Sequence, residues 1–124
     1  MTVTNGLLVN AAKALGGEAF DTISHFSVTD DVTVTSIGTS STILLNEIGT
    51  RVTATPTRTS NSLEFNGVRL TTDVVDTVDG DVLTAFGTNT DLAGSTLQTG
   101  STVAGVTHTT AFDLEFIVTL NVNR

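Results

Sequence analysis

From residue 22 onward, apolar and polar positions alternate with a period of two, which is typical of half-buried β-strands. The segment "ISHFSVT" places Phe26 and Val28 on one face, and "DDVTVTSIG" and "TRVTATPTRT" alternate in the same way. Pro56 has no N–H to donate, which predicts an edge strand or a strand end. This repeated alternation predicts a mainly β protein, and the short connections between the segments favour antiparallel pairing. Its expected fold is an antiparallel β-sandwich, or a barrel-like sheet, of about seven to nine strands.

The most regular alternation lies in the segment "AFDLEFIVTLNV". Its predicted apolar face carries Phe112, Leu114, Phe116, Val118, Leu120 and Val122. Ile117 is the apolar exception on the opposite face. A run of this length exceeds the usual strand, so we expect it to cross the whole domain or to pair with a neighbouring subunit.

Residues 5–15, "NGLLVNAAKAL", follow a helical period instead. Leu7, Ala11 and Leu15 share one predicted face. Asn5 is the predicted N-cap, and the two glycines after Leu15 predict the end of the helix. We therefore predict a single β-sandwich domain over residues 1–124, with this helix covering one sheet face and strands from residue 22 onward.

Two dipeptides have the composition of tight turns between paired strands. In "SLEFNGVRL" a type I′ turn would pair Glu64 with Arg69 and place the apolar residues on the other face. In "VVDTVDGDVLTAFG" a second turn would set Val78 opposite Asp81. The predicted turn residues are Asn66, Gly67, Asp79 and Gly80.

The second of these segments also holds the densest acidic cluster. Asp76, Asp79 and Asp81 are weak candidates for metal ligands. With Gly80 as the sixth residue of a calcium loop, a valine and a threonine would fall where that loop requires carboxylates or amides. Turn chemistry with a solvated acidic rim is therefore the preferred interpretation, and we predict no metal and no cofactor.

Composition narrows the classes of function. Thirteen acidic and five basic residues give a formal net charge of −8, which disfavours binding to nucleic acid. No apolar run approaches the roughly 20 residues of a membrane helix. Cysteine is absent, which excludes disulfides, and 26 of the 124 residues are threonine, which favours strands. Tryptophan and tyrosine are also absent, which disfavours a surface for stacking sugars or bases.

The two histidines are the candidates for acid–base chemistry. His25 lies in a predicted strand and His108 lies among threonines, and no GxSxG elbow surrounds any serine. A catalytic triad could assemble only in space. The preferred interpretation of both residues is a solvent-facing strand histidine, and we predict no enzymatic activity.

The segment "ILLNEIGTRV" places a polar cluster in an apolar context. Glu47 and Arg51 have the spacing of an ion pair across one helical turn. Asn46 is suited to turn the chain. We predict a structural clasp of Asn46, Glu47 and Arg51, after which a long strand begins at Val52. The alternative is a catalytic or ligand-binding carboxylate.

The order of segments resembles the small β-rich virion structural proteins of tailed phages and tailed archaeal viruses, in particular tail-collar-fibre modules. The matching segments are "GLLVNAAKAL", "ISHFSVTD", "LLNEIGTRVTATPT", "SLEFNGVRLT", "DTVDGDVLTAFGTNTD" and "AFDLEFIVTLNV". The resemblance implies a non-enzymatic virion component that acts by contact with copies of itself and with other virion proteins.

Two alternatives remain open on sequence alone. The first is a capsid decoration or turret protein, or a module that binds a host glycan or surface protein. Its site would be the acidic segment "DVVDTVDGD", with or without bound calcium. The second is a small hydrolase that uses His25 or His108.

Overall fold

The computed structural model describes residues 1–122, which form two antiparallel sheets and one helix. The elements are β1 (Thr2–Val3), α1 (Asn5–Leu15), β2 (His25–Thr29), β3 (Val52–Thr53), β4 (Thr55–Thr59), β5 (Ser62–Arg69), β6 (Asp81–Asn89), β7 (Leu97–His108) and β8 (Leu114–Asn121), with a 3-10 turn at Thr71–Asp73. One sheet has the order β1-β7-β6-β2-β3 and the other β4-β5-β8. The predicted mainly β fold with one N-terminal helix is confirmed, and the sheets do not close into a barrel within residues 1–122.

Aromatic and aliphatic side chains from the inner faces of both sheets form the core. The Phe26 and Phe116 rings stack with centroids 5.6 Å apart, and Phe86 lies 5.2 Å from Phe116. These rings bring β2, β6 and β8 together across the sandwich. Leu83 and Val118 extend the same cluster. The predicted apolar face of the last strand is therefore confirmed in its centre, whereas Phe112 and Val122 fall outside the strand and are exposed.

The single strand predicted over residues 50–59 is two strands in different sheets. β3 pairs with β2, and β4 pairs with β5. The break lies at Ala54, which is buried and whose N–H donates to the Ser24 carbonyl. Pro56 lies in β4, an outer strand of its sheet, as its missing N–H predicts.

The turn predicted at Asn66 and Gly67 is wrong. Both residues lie inside β5, where Asn66 pairs with Ile117 and Gly67 with Phe116. A Cβ on Gly67 would come within 2.5 Å of the Phe26 ring, so this glycine allows close packing of the two sheets. Glu64 and Arg69 consequently lie on the same strand and do not pair across a hairpin.

The real hairpin joins β4 to β5 through a two-residue loop, Ser60 and Asn61. Ser60 adopts a left-handed backbone with φ of 56°. This loop closes between Thr59 and Ser62, which are paired. The predicted turn dipeptide therefore lies six positions after the actual one.

The second predicted turn is present, but the hairpin around it is not. Gly80 has φ of 84°, and its N–H donates to the Asp76 carbonyl. The residues before this turn form no strand, so within residues 1–122 Val78 has no cross-strand partner. Asp81 pairs with His108 at the start of β6 and the end of β7.

The alternating segment over residues 30–38 is a loop, which corrects the strand predicted there. Asp31 explains the difference, because its carboxylate accepts the backbone N–H and the hydroxyl of Thr33. Such a local side-chain bond competes with strand pairing. Ile37 from this loop packs against Gly100 of β7, where a Cβ would come within 2.5 Å of it.

The helix has the predicted bounds, but its N-cap residue is Thr4 and not Asn5. The N–H groups of Thr4 and Asn5 donate to Gln98 and Thr39, which fixes the start of the helix against β7 and the loop. Leu7 packs against the core. No helical residue is fully buried, so the helix covers the sandwich only with its inner face.

Candidate functional site: two arginine clusters and two exposed faces

Arg51 is the centre of the first polar cluster. Its Nε and Nη2 donate to the two carboxylate oxygens of Glu47 at 2.8 and 2.9 Å. Its remaining donors reach the carbonyls of Asp91 and Gly94 and the hydroxyl of Thr96. All five guanidinium N–H groups therefore have acceptors. The side chain is 4% exposed, and it ties the turn before β3 to the loop between β6 and β7.

The rest of the predicted clasp lies beside this pair. Asn46 adopts a left-handed backbone with φ of 53°, so it turns the chain as predicted. Its amide donates to the Asp31 carboxylate at 2.6 Å, and its carbonyl accepts from the Thr29 hydroxyl. The strand that begins at Val52 has only two residues, contrary to the predicted long strand. Because both Glu47 oxygens are engaged by Arg51, the geometry is that of a structural clasp.

Asp31 is the acceptor that joins this turn to the loop before it. The hydroxyl and backbone N–H of Thr33, followed by the Asn46 amide, hold the pKa of Asp31 below its usual value. Its two carboxylate oxygens together accept these three hydrogen bonds.

The second polar cluster, Arg69 with Asp81 and His108, is buried. Arg69 Nη2 donates to Asp81 Oδ2 at 2.7 Å, and both side chains are 2% exposed. Nη1 donates to Nδ1 of His108 at 2.8 Å, and Nη2 also reaches the Asp73 carbonyl. Because a guanidinium only donates, Nδ1 of His108 accepts, and its Nε2–H donates to the Phe112 carbonyl. The cluster thereby joins β5, β6, the end of β7 and the approach to β8.

Asp81 is held in its charged form by converging donors. Burial raises the pKa of this carboxyl, but the backbone N–H groups of Asp76 and Val75 and the Arg69 guanidinium outweigh burial and lower it. The two backbone donors lie at 2.8 and 2.9 Å. Asp81 therefore fixes the turn that precedes its own strand.

The weak metal candidates do not converge. Asp81 is buried, which corrects its predicted place in a solvated rim, and it faces Arg69. Asp76 is exposed and accepts the N–H groups of Val78 and Asp79 through Oδ1. Within residues 1–122 no group of three or more His, Asp or Glu side chains is placed to hold a metal ion.

The two histidines lie in different environments. His25 is half-buried on β2, with Nδ1 2.8 Å from the Ser24 hydroxyl. In residues 1–122 no ion pair of a carboxylate with the His25 ring is found, so a triad is not assembled there. His108 is fully buried against Arg69, which corrects the predicted solvent-facing position. Its ring is engaged at both nitrogens.

The outward face of α1 is apolar. Leu8, Val9, Ala12 and Leu15 are exposed on it, and Leu15 is 91% exposed. Lys13 is the charged residue in this helix. A surface helix usually presents a polar outer face, so this face is a candidate contact surface.

The free edge of β8 is the second candidate surface. β8 pairs with β5 on one side, and in residues 1–122 no strand pairs with its other side. An apolar cavity of about 230 Å³ opens beside this edge, between Leu114 and Phe116 of β8 and Val103 and Val106 of β7. The edge therefore combines unpaired backbone groups with accessible apolar side chains.

Compared with family models, with curated proteins and with solved structures, the chain matches none. Within residues 1–122 no helix has the length and apolar character required to cross a membrane.

Sequence reasoning missed the buried Arg69 cluster, although the alternation in β5 contained the signal. Phe65, Gly67 and Arg69 are spaced by two and are buried together. The phase that places Phe65 in the core therefore places Arg69 there as well. The Asn66–Gly67 turn prediction interrupted this phase and moved Arg69 to the opposite strand.

Proposed function

We propose that this chain is a non-enzymatic structural component of a tailed-virus particle. Its place is the tail, the neck or collar, the baseplate or fibre attachment, or the capsid surface. It acts by homo-oligomeric contact and by contact with other virion proteins.

The observation that carries this proposal is the apolar outward face of α1. Three large aliphatic side chains, Leu8, Val9 and Leu15, are exposed along eleven helical residues. Contiguous exposed apolar surface marks sites of protein contact. A helix of this kind gains stability when a partner removes the face from water.

The polar groups of the molecule support the same function. Two carboxylates, Glu47 and Asp81, each form an ion pair with an arginine of the same chain. They hold loops and strand ends in place. Exposed aliphatic side chains, threonine hydroxyls and strand edges remain for partner contact, alongside exposed carboxylates such as Asp79 and Glu115. The aliphatic side chains and strand edges suit assembly through shape and backbone hydrogen bonds.

Particles made by the organism that encodes the chain test the proposal directly. The particles are purified on a density gradient, quantified by mass spectrometry and labelled with antibody to the purified chain. We expect a fixed copy number per particle and label at the tail or capsid surface. A chain that stays in the unassembled fraction in every preparation overturns the proposal.

Two single substitutions test the outward face of α1, on which the proposal rests. Leu15→Glu adds charge at a site that is 91% exposed, so the fold is retained and incorporation into particles should fall. Lys13→Gln is the matched control in the same helical turn, and it should be incorporated normally. Equal incorporation of both variants argues against the role of α1.

A further inference from the structure

Four strand edges are open in residues 1–122, and three of them are protected. β1 and β3 have two residues each, and β4 carries Pro56 and Arg58. Short length, proline and inserted charge are the devices by which proteins prevent edge pairing. β8 has eight residues and no proline, and Glu115 is its one charged residue. It is therefore the edge that is left available for pairing.

The sequence of β8 is complementary to itself when two copies run antiparallel. A register centred on Val118 sets Glu115 opposite Asn121 of the second copy, and Ile117 opposite Thr119 of the second copy. The carboxylate then faces an amide donor, and the two Glu115 side chains stay apart. A one-residue slip would exchange the polar and apolar faces of one strand and is disfavoured.

The same register also sets inner-face residues of β8 opposite inner-face residues of the second copy. Phe116 lies opposite Leu120 of the second copy, and Leu114 lies opposite Val122 of the second copy. Val122 is 79% exposed in the single chain, and Leu114 lines the cavity of about 230 Å³. Pairing brings the exposed valine to the mouth of that cavity, where its burial is favourable.

We infer that β8 docks antiparallel on β8 of a second copy of this chain, which joins the two three-stranded sheets into one sheet of six strands. The inference rests on the proposed function, because it names the contact through which the proposed homo-oligomer forms. The net charge of −8 per chain opposes the contact, so the dimer should strengthen as salt screens the repulsion. A basic partner strand would instead bind more weakly at high salt.

Site-specific cross-linking tests the register, since the chain contains no cysteine. An Ile117→Cys variant is mixed with a Thr119→Cys variant under mild oxidation, and each variant is also oxidised alone. Directly opposed strand residues lie within disulfide distance. We expect the mixture to form disulfide dimers at least about tenfold faster than either variant alone.

A second pair and a control keep the test independent of any one substitution. Glu115→Cys with Asn121→Cys should link in the same way, and both sites are exposed. Thr57→Cys on the outer strand β4 should form no dimer above the collision rate. The inference is overturned if mixed and single variants form disulfide dimers at equal rates, or if the β4 control forms them as fast as the β8 pairs. A chain that stays monomeric in sedimentation at high salt also overturns it.

The two proposals fail separately. Incorporation into particles without β8 cross-links overturns the β8 contact and leaves the virion function standing. A β8 dimer that never enters particles overturns the virion function and leaves the contact standing.

Discussion

Removal of the Arg69 guanidinium is the most informative perturbation of this fold. In Arg69→Met a side chain of similar length fills the space, but Asp81 loses its cation and His108 loses the donor to Nδ1. Asp81 is 2% exposed, so its carboxylate remains buried with backbone donors alone. Breaking a buried ion pair by removing one partner costs about 3–5 kcal/mol. That is a large part of the roughly 5–15 kcal/mol that stabilises a typical domain.

Urea unfolding at neutral pH, followed by circular dichroism, measures this loss as a change in the free energy of unfolding. Arg58→Met is the matched control, because it removes an exposed arginine that donates to the nearby Ser60 carbonyl. We expect the control to change stability by about 0.5 kcal/mol or less. A loss for Arg69→Met that is no larger than the control would refute the role assigned to the buried cluster.

The acid dependence of stability gives a second readout for the same variant. The pKa of Asp81 is lowered from 3.8, so the folded state binds this proton more weakly than the unfolded state. Its stabilising contribution is complete above the ordinary value and is lost as the pH falls through the lower folded value. Because Arg69 contributes to the lowering, the stability difference between wild type and Arg69→Met should narrow with acid. A difference that stays constant over the whole acidic range in which the wild type remains folded would contradict this assignment.

Three further predictions concern the close packing, the clasp and the acidic turn. Gly67→Ala should destabilise the fold by about 1–3 kcal/mol, because the added Cβ would clash with the Phe26 ring. Gly38→Ala is the control and should be nearly neutral in the same urea unfolding assay. Arg51→Lys should speed amide exchange across residues 90–96, since lysine cannot form the five-donor pattern, and unchanged exchange would rule out the clasp. Calcium or a chelator should leave the melting temperature unchanged, because backbone N–H groups occupy Oδ1 of Asp76 and both oxygens of Asp81. A reproducible shift would restore the metal interpretation.

The periodicity of the sequence determined the fold class of this protein. Alternation over "ISHFSVT" and "AFDLEFIVTLNV" marks β2 and β8, because a half-buried strand needs apolar side chains at every second position. The four-residue spacing in "NGLLVNAAKAL" marks α1 as a helix, but of the predicted face Leu7 packs against the core whereas Leu15 is 91% exposed. The Asn46, Glu47 and Arg51 cluster was also accessible from sequence, since its members lie within six residues of each other.

Local patterns misled wherever a distant contact decided the structure. Asn66 and Gly67 have the composition of a turn, but Gly67 is required where β5 crosses the Phe26 ring. The valines of residues 30–38 alternate like a strand, but the Asp31 carboxylate accepts the N–H and hydroxyl of Thr33, and within residues 1–122 no strand pairs with the segment. A glycine that is required for close packing can therefore give a false turn signal in the sequence.

The sequence by itself therefore determined that this chain folds into strands with one helix, because side-chain periodicity is a local property. Apart from the edge that Pro56 marks in β4, only the tertiary structure decided which strands become edges, and it also decided which charges are buried. Arg69, Asp81 and His108 are 39 residues apart at the extremes, and their pairing depends on the order of strands in two sheets. The open edge of β8 is likewise a property of sheet order, since an alternating strand has the same sequence pattern whether one neighbour or two lie beside it.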